Sequence, residues 1–231
     1  MRALCVSDKV VSHLYDAAVR TRVGEIDLIL GCGDLPYYYL EYLLTTLNVP
    51  LLYVHGNHDP EMEYTPNGEA IYGPGGGFNM DQRVIEMDGL IFAGLQGSIR
   101  YKPEGIFQHT QSQMWMKVFR LVPRLLYNQM TKGRALDVLI THSPPMNIHN
   151  GNDHVHQGFN AFLWLMEKFK PRYLIHGHHH VYRRDEQTVT PYHDTIVNNI
   201  YPYKVLEFAS IPLSPNESPD SSGLNSETRL K

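Results

Sequence analysis

The sequence is poor in several features that would assign it to a specialised class of protein. It has only two cysteines, Cys5 and Cys32, among 231 residues. Both lie in apolar, strand-like segments, which favours buried free thiols in a reducing compartment over a disulfide framework. No apolar run approaches the roughly 18 residues of a transmembrane helix, and the pattern that starts at Met1 predicts a strand rather than a signal peptide. We therefore expect a cytoplasmic protein without a membrane partner.

A large excess of charge of either sign is also lacking. The formal net charge is −4 and the sequence pI is about 6.3, so the chain has no global attraction to double-stranded nucleic acid. A hydrophobic content of 42% and a charged content of 19% are typical of an ordinary globular chain. We expect one large α/β domain over residues 1–211. Ser, Pro, Asn and Glu dominate residues 212–231, which predicts a disordered C-terminal tail.

Short apolar runs, each ending in polar residues, alternate with helical stretches along the chain. Such runs predict buried strands whose C-terminal loops carry the chemistry. The predicted strands are Ala3–Val6, Leu28–Leu30, Leu51–Val54, Val138–Thr141 and Tyr173–His176, with helices around Leu14–Arg22 and Tyr37–Leu47.

Two further regions predict β-structure. Residues 83–94 are interpreted as two strands joined by a turn at Asp88 and Gly89. After the histidine-rich run, alternating and β-branched residues predict a meander that closes a second sheet. Its predicted strands are Val181–Arg184, Thr188–Pro191, Thr195–Asn198 and Lys204–Phe208.

Residues 105–136 contain no acidic side chain and interrupt the alternation of strands and helices. Lys117, Arg120 and Arg124 follow a helical spacing, and Pro123 is expected to kink or end the first helical piece. One interpretation is a pair of helices packed on the core with a solvated basic stripe. The other is an insertion that acts as a lid, or as a surface for an anionic ligand or a second subunit.

Polar residues follow the predicted strands where a metal site would need them. Asp8 and Asp34 follow the first two strands, and oxygen and imidazole donors follow three later ones. An aspartate after a strand is often only a helix cap or turn former, but here the donors recur at one edge of the sheet, where open α/β sheets bind ligands. Mixed oxygen and imidazole ligands suit two divalent ions about 3.5–4 Å apart, which can hydrolyse phosphate esters. The later donors are Asn57, His58, His142, His178 and His180.

Five short motifs occur in an order that resembles the calcineurin-like metallophosphoesterase superfamily, over about residues 1–208. The motifs are Asp8, Gly33-Asp34, Gly56-Asn57-His58-Asp59, His142 and Gly177-His178-His179-His180. The resemblance implies a sandwich of two mixed β-sheets flanked by helices. It also implies a metal-dependent phosphoric ester hydrolase, in which a metal-bridging hydroxide attacks a phosphate mono- or diester. The implied cofactors are two divalent ions, which could be Mn, Fe, Zn, Ni or Co.

The resemblance also implies a role for each matching residue. Asp34 would bridge the ions, the first held by Asp8, Asp34 and His180. The second ion would be held by Asp34, Asn57, His142 and His178. His58 would contact the phosphate and protonate the leaving oxygen, with Asp59 orienting its imidazole.

Other assignments come from the residues themselves. Arg100, in a loop after a strand, could bind the phosphate of a small ester together with Asn57 and His58, although a lone loop arginine is commonly solvated. His178 and His180 are two apart, so an extended segment would point both to the same side. By that parity His176 is interpreted as a buried strand residue and His179 as structural or rim-facing.

Val10 departs from the family pattern. The family usually has a histidine two residues after the first aspartate, and valine cannot bind a metal. Water or substrate could complete the first site, that site could be weak or empty, or another side chain could replace the histidine. The candidates for replacement are His13, His149, Asp153, His154 and His156.

Two rival functions remain open, the first because of Val10 and the second because of the basic stripe. One is a non-catalytic scaffold of the same fold that binds a protein partner. The other is a nuclease acting on single strands, with Lys117, Arg120 and Arg124 contacting phosphates. The sequence predicts no particular oligomeric state.

Overall fold

A computed structural model describes residues 1–65, 67–151, 153–183 and 185–209 of the chain. The predicted tail at 212–231 lies outside the described residues. Two of the predicted elements are reproduced closely, the helix Tyr37–Leu47 and the strand pair around Asp88. No helix of the described residues has the length and apolar character needed to cross a membrane.

Within the described residues, the strands belong to two large sheets and two small ones. The strands are β1 (Arg2–Val6), β2 (Leu28–Gly31), β3 (Leu51–Tyr53), β4 (Glu63–Tyr64), β5 (Ala70–Ile71), β6 (Phe78–Asn79), β7 (Val84–Met87), β8 (Leu90–Leu95), β9 (Ser98–Ile99), β10 (Gln108–His109), β11 (Val138–Thr141), β12 (Tyr173–His176), β13 (Val189–Tyr192), β14 (Thr195–Asn199) and β15 (Tyr203–Glu207). The helices are α1 (Val19–Val23), α2 (Tyr37–Leu47), α3 (Gln111–Lys132) and α4 (Asn160–Phe169).

Both large sheets are mixed. The first has the strand order β15-β1-β2-β3-β6 and the second has the order β13-β14-β12-β11-β8-β7. The central strands of each sheet are parallel, while β15, β7 and β13 pair antiparallel with their neighbours. The prediction of an α/β fold with two mixed sheets flanked by helices is confirmed.

Three apolar layers hold the sandwich together. Side chains alternate along each strand, so Cys5 of β1 faces the second sheet while its neighbour Leu4 packs toward α1 and α2. Between the sheets lie residues such as Phe92 and Ile140. On the far side of the second sheet, Leu139 packs with residues of α3 and α4. Because both faces of each sheet are covered, the central strands are buried and nearly uniformly apolar.

The helix α3 differs from its prediction in two ways. It is a single helix of 22 residues that includes Pro123, so the proline does not end it. Its first turn is stabilised by a capping box between Thr110 and Gln113, and burial of its inner face against the second sheet offsets the backbone hydrogen bond that Pro123 cannot make. Lys117 is also not part of a solvated stripe, because it is buried and its Nζ lies 2.8 Å from Oδ2 of Asp81.

Three predictions about other elements need correction. The strand β15 pairs with β1 in the first sheet and does not close the second. Residues 181–183 are not a strand, and Arg184 lies outside the described residues. The predicted helix around Leu14–Arg22 is reduced to α1, with turns before it. The prediction of buried free thiols is confirmed for both cysteines.

Candidate metal centre

The predicted ligands gather where β1, β2 and β3 of the first sheet and β11 and β12 of the second sheet end. Asp8, Asp34 and His178 have positive φ angles of 62°, 56° and 64°. Side-chain-bearing residues rarely adopt this left-handed conformation, and they persist in it only where the surroundings hold them. The expectation of an extended segment through His180 is therefore wrong, because β12 ends at His176.

Two glycines allow the loops to approach one another. A Cβ atom on Gly56 would lie 2.0 Å from Oδ1 of Asp34, and one on Gly177 would lie 2.4 Å from Oδ2 of Asp8. Neither carboxylate could occupy its position beside a larger residue. The glycines of the two motifs are thus required by the close packing of carboxylates against backbone.

His142 directs its Nε2 atom to the centre of the site. Its imidazole is fully buried, and its Nδ1 lies 2.7 Å from the carbonyl oxygen of Cys32. Because a carbonyl only accepts, Nδ1 must carry a hydrogen, so Nε2 is the atom that can bind a metal ion once it has lost its own proton. The atoms around Nε2 are Oδ1 of Asn57 at 3.1 Å, Nδ1 of His178 at 3.1 Å and Oδ2 of Asp34 at 3.4 Å.

His178 is oriented in the same manner through its other nitrogen. Its Nε2 donates to the carbonyl oxygen of Val155 at 3.1 Å, so Nδ1 is left facing Nε2 of His142. A backbone carbonyl that holds one N–H of an imidazole fixes its tautomer and orientation, as in histidine ligands of metals. Two imidazoles therefore each direct one nitrogen to the same point.

Asp34 and Asn57 complete a group that we call the four-residue cluster, together with His142 and His178. Ligand atoms of Asp34, His142 and His178 all lie within 4.8 Å of one another, so one ion could contact all three. The Nδ2 atom of Asn57 donates to the hydroxyl of Tyr101 at 3.2 Å, which turns Oδ1 toward the cluster. Two imidazole and two oxygen donors suit a divalent ion of the first transition row.

The electrostatics of the cluster also favour a cation. Burial on its own would raise the pKa of Asp34 and lower that of His142, but attraction between the two outweighs burial. The pKa of Asp34 falls to about 2 and that of His142 rises to about 9. Burial, reinforced by the charge of His142, lowers the pKa of His178 to about 3. The negative field that holds a proton on His142 would equally hold a metal ion.

Asp8 and His180 form a second, looser group, the Asp8–His180 pair. The Asp8 carboxylate is buried and accepts from the backbone N–H of His178 at 3.0 and 3.2 Å. Nε2 of His180 lies 3.5 Å from Oδ1 of Asp8. The imidazole of His180 stacks on Tyr201 at a centroid distance of 4.5 Å, and its side chain is 40% exposed. The pair thus offers two donors on a more open side of the site.

Asp59 and His58 lie beside the four-residue cluster in different environments. The Asp59 carboxylate accepts from three backbone N–H groups, those of Asp34 at 3.1 Å, Leu35 at 2.9 Å and Gly56 at 2.8 Å. Burial and the charge of Asp34 raise its pKa to about 7. These contacts join the loop that carries Asp34 to the loop that carries Asn57. The predicted contact between Asp59 and the His58 imidazole is not among them. His58 is exposed and is fixed through its backbone N–H, 2.8 Å from Oδ1 of Asp34.

A family model described as calcineurin-like phosphoesterase matches residues 4–182. The chain belongs to the calcineurin-like phosphoesterase family. The match includes every predicted ligand, and the family implies divalent metal ions, for which the four-residue cluster provides a fitting set of donors.

The chain is similar to solved structures at low sequence identity. The protein TT1561 of Thermus thermophilus is 16% identical, with a TM-score of 0.56, and the match covers 86% of this chain and 88% of that chain. A vacuolar protein sorting 29 from Cryptosporidium parvum is 13% identical, with a TM-score of 0.41, over 86% of this chain and 72% of that one. A search of curated proteins found no match.

Arg100 precedes Tyr101, which contacts Asn57, but its own side chain is engaged elsewhere. Its Nε and Nη2 donate to the carbonyl oxygen of Gln108 at 3.3 and 3.1 Å, and its own carbonyl accepts from Nε2 of His154 at 3.0 Å. The neighbouring Tyr101 reaches Asn57 instead. The sequence pattern pointed to Arg100 in this loop and not to Tyr101, because a tyrosine alone does not indicate a metal site.

None of the proposed substitutes for the missing family histidine contacts Asp8 among the described residues. Val10 itself packs against the apolar layer beneath α1 and α2. The candidate side chains bind other partners: His13 contacts Tyr203, His149 contacts His176 and Thr190, His154 contacts Arg100, and Asp153 and His156 contact each other. The remaining expectations for the first site are completion by water or substrate, and weak occupancy. His176 is a buried strand residue as predicted.

Proposed function

We propose that the protein is a metal-dependent hydrolase of a small phosphate mono- or diester. The observation that carries this proposal is the pair of imidazoles, His142 and His178, each held by a backbone carbonyl through one nitrogen and directing the other nitrogen to a point beside Asp34 and Asn57. A purely structural role would not require two metal-binding nitrogens to converge beside a carboxylate inside the fold. Two buried free thiols support a reducing, cytoplasmic location.

The chain's own residues divide the work of hydrolysis. Divalent ions, when bound, would supply a nucleophilic hydroxide at neutral pH and neutralise phosphoryl oxygens. Asp34, Asn57, His142 and His178 would hold one ion, and Asp8, Asp34 and His180 would hold the other. Manganese, iron, zinc, nickel and cobalt all suit these donors.

His58 is suited to deliver the proton that the leaving group needs. Its exposed imidazole is free to turn toward a bound ester, while its backbone is fixed to Asp34. We propose that it contacts a phosphoryl oxygen and protonates the leaving oxygen. Asp59 supports it by fixing the loop that carries it, through Gly56 and the backbone of Asp34.

The rival function as a scaffold is favoured by one observation, the valine at position 10 beside the open Asp8–His180 pair. A scaffold would need only the fold and one ion. The single-strand nuclease is less well supported, because Lys117 is buried against Asp81 and cannot follow a phosphate backbone.

A single assay separates these functions. Purified protein is given p-nitrophenyl phosphate, bis-p-nitrophenyl phosphate and a single-stranded oligonucleotide, with each candidate metal in turn. We expect Mn²⁺-stimulated release of nitrophenol by the native chain. With an alkyl phosphate, whose leaving oxygen needs a proton, His58→Asn should lose about 10² to 10⁴-fold, the usual contribution of a general acid. Turnover of the oligonucleotide alone would favour the nuclease. Absence of turnover with every metal would favour the scaffold.

A further inference from the structure

The outer face of α3 carries apolar residues where an ordinary surface helix carries polar ones. Residues at heptad spacing point away from the core: Met116, Phe119, Pro123, Leu126 and Met130, with Tyr127 beside them. Met130 is 87% exposed and Met116 is 54% exposed. The opposite face already packs on the second sheet. A helix that is apolar on both faces is expected to be covered on both.

The surface continues from α3 onto α4 through three aromatic rings. Trp115, Phe119 and Trp164 lie with ring centroids 5.5 to 5.6 Å apart. Aromatic residues and methionine are enriched where proteins bind one another, because they bury a large area and adapt to the partner. Trp115 and Trp164 are the only two tryptophans of the chain. We call this face, from Met116 to Met130 with Trp164, the α3 face.

The charges beside the α3 face are of one sign. Arg120 donates to Oε1 of Gln82, and the guanidinium of Arg124 lies 5.2 Å from the ring centroid of Tyr127. Within the described residues, neither arginine forms an ion pair with a carboxylate. Residues 105–136 contain no acidic side chain. A partner that pairs with both arginines must bring its own carboxylates.

Three other occupants fit these charges less well. The α3 helix of a second copy offers no carboxylate to either arginine. An anionic membrane surface is usually bound by clusters of four to eight cations, and here two guanidiniums flank the apolar strip. Residues 210–231 contain prolines at 212, 215 and 219 and few large apolar side chains, so their sequence lacks an apolar heptad pattern.

We propose that the α3 face is a docking site for a partner protein through an amphipathic α-helix whose apolar seam is flanked by acidic residues. The partner helix would lie along α3, with its apolar positions against Phe119, Leu126 and Met130 and its carboxylates near Arg120 and Arg124. This is recognition of a helix by a hydrophobic surface, with charge selecting the partner.

The two tryptophans allow a direct binding test on the full chain. The probe is a synthetic helical peptide of three heptads, with Leu at positions a and d, Glu at e and g, and no aromatic residue. The matched control peptide has Lys in place of Glu. We expect the acidic peptide to change tryptophan emission saturably and the basic peptide to bind at least about tenfold more weakly.

Variants of exposed residues separate the apolar contact from the charge. Phe119→Ser and Met130→Ser should each weaken binding of the acidic peptide by about tenfold or more, the range expected for a central interface residue. Arg124→Glu should shift the preference toward the basic peptide. Tyr72→Glu, an exposed position away from α3, should leave binding unchanged. Circular dichroism should be the same for all variants.

Several results would overturn the proposal. One is no saturable emission change with the acidic peptide, and another is equal binding of both peptides. Binding of phosphatidylserine vesicles in place of the peptide would identify a membrane surface. A dimer in light scattering that Met130→Ser converts to a monomer would identify a second copy as the occupant.

Discussion

The two groups of donors at the candidate metal centre differ in how firmly the fold holds them. In the four-residue cluster, both imidazoles have one N–H fixed by a backbone carbonyl, and the Asn57 amide is oriented by Tyr101. In the Asp8–His180 pair, only the carboxylate is buried, while His180 stacks on Tyr201 in an open position. The family histidine that would join the pair is replaced by Val10.

This difference indicates that the two metal positions are not equivalent. Contacts that orient the ligands raise metal affinity, commonly by 10- to 100-fold per contact. The four-residue cluster has such contacts at all four members, whereas His180 of the pair has only a contact with the hydroxyl of the exposed Tyr182. We expect the cluster to bind its ion more tightly and the pair to fill at higher metal concentration.

Removing Asp34 should weaken metal binding at both positions, because its carboxylate is predicted to bind both ions. We expect Asp34→Ala to lower kcat/KM by at least about 10² to 10³-fold, the scale on which loss of one preorganised charge-stabilising group acts. Bound metal, counted by mass spectrometry of the dialysed protein, should fall in parallel. The matched control is Asp194→Ala, which removes an exposed carboxylate paired with Lys170. Metal-stimulated hydrolysis that survives in Asp34→Ala would contradict the proposed function.

Supplying the family histidine should make the two groups more alike. Val10→His adds an imidazole near the Asp8–His180 pair, and we expect the weaker ion to bind roughly 10-fold more tightly or better, as added ligands do. Calorimetric titration with Mn²⁺ should show the second binding event move to lower concentration. Val10→Leu keeps position 10 apolar and serves as the control. If the second Mn²⁺ binding event is unchanged in Val10→His, the missing histidine does not limit how fully the weaker metal position is occupied.

Removing one orienting contact should lower the metal affinity of the four-residue cluster toward that expected for the Asp8–His180 pair. Tyr101→Phe removes the hydroxyl that accepts from Asn57 at 3.2 Å. One neutral hydrogen bond contributes about 1 kcal/mol, so we expect Mn²⁺ affinity and kcat to fall by about fivefold. Tyr64→Phe, at an exposed tyrosine of β4, is the control. Equal metal affinity in Tyr101→Phe and the native chain would remove Tyr101 from the site.

A histidine outside both groups provides the smallest expected effect. Burial, and after it the charge of Lys204, lowers the pKa of His149 from 6.5 to about 4. Between these pH values the unfolded chain binds more protons than the folded chain, so the free energy of unfolding is greatest above pH 6.5 and falls as pH drops toward 4. His149→Asn should reduce this fall by about 1 kcal/mol or less, because water partly screens the ring.

The prediction for His149 is tested by urea unfolding at several pH values, after a chelator has removed any bound metal. Asn67→Gln, at an exposed position without a titrating side chain, is the control and should leave the slope of stability against pH unchanged. A slope that is the same in His149→Asn and the native chain would show that His149 titrates normally when folded.

Much of the fold could be predicted because its pattern is local. Apolar runs that end in Asp8, Asp34 and His142 form parallel strands, and their carboxyl ends lie at one edge of the sandwich. The role of Pro123 could not be predicted, because packing of α3 on the second sheet outweighs the local preference of proline to end a helix. Similarly, β15 joins the first sheet through a pairing with β1 that no local pattern reveals.

The site was predictable in its residue types and less so in its contacts. Spacing alone indicated an extended run from His176 to His180, but the left-handed conformation of His178 separates the two ligands. The buried pairing of Lys117 with Asp81 joins residues that are far apart in sequence, and the attachment of Arg100 to Gln108 depends on how one loop folds back. Such contacts follow from tertiary geometry, which spacing does not encode.

The four-residue cluster draws its members from both large sheets. Asp34 and Asn57 follow β2 and β3 of the first sheet, and His142 and His178 follow β11 and β12 of the second. A bound ion would therefore act as a cross-link between the two layers of the sandwich. Its binding free energy adds directly to the stability of the folded state, so chelation should lower the melting temperature and speed amide hydrogen exchange where β2 faces β11. In this fold the cofactor would be a part of the architecture as well as of the chemistry.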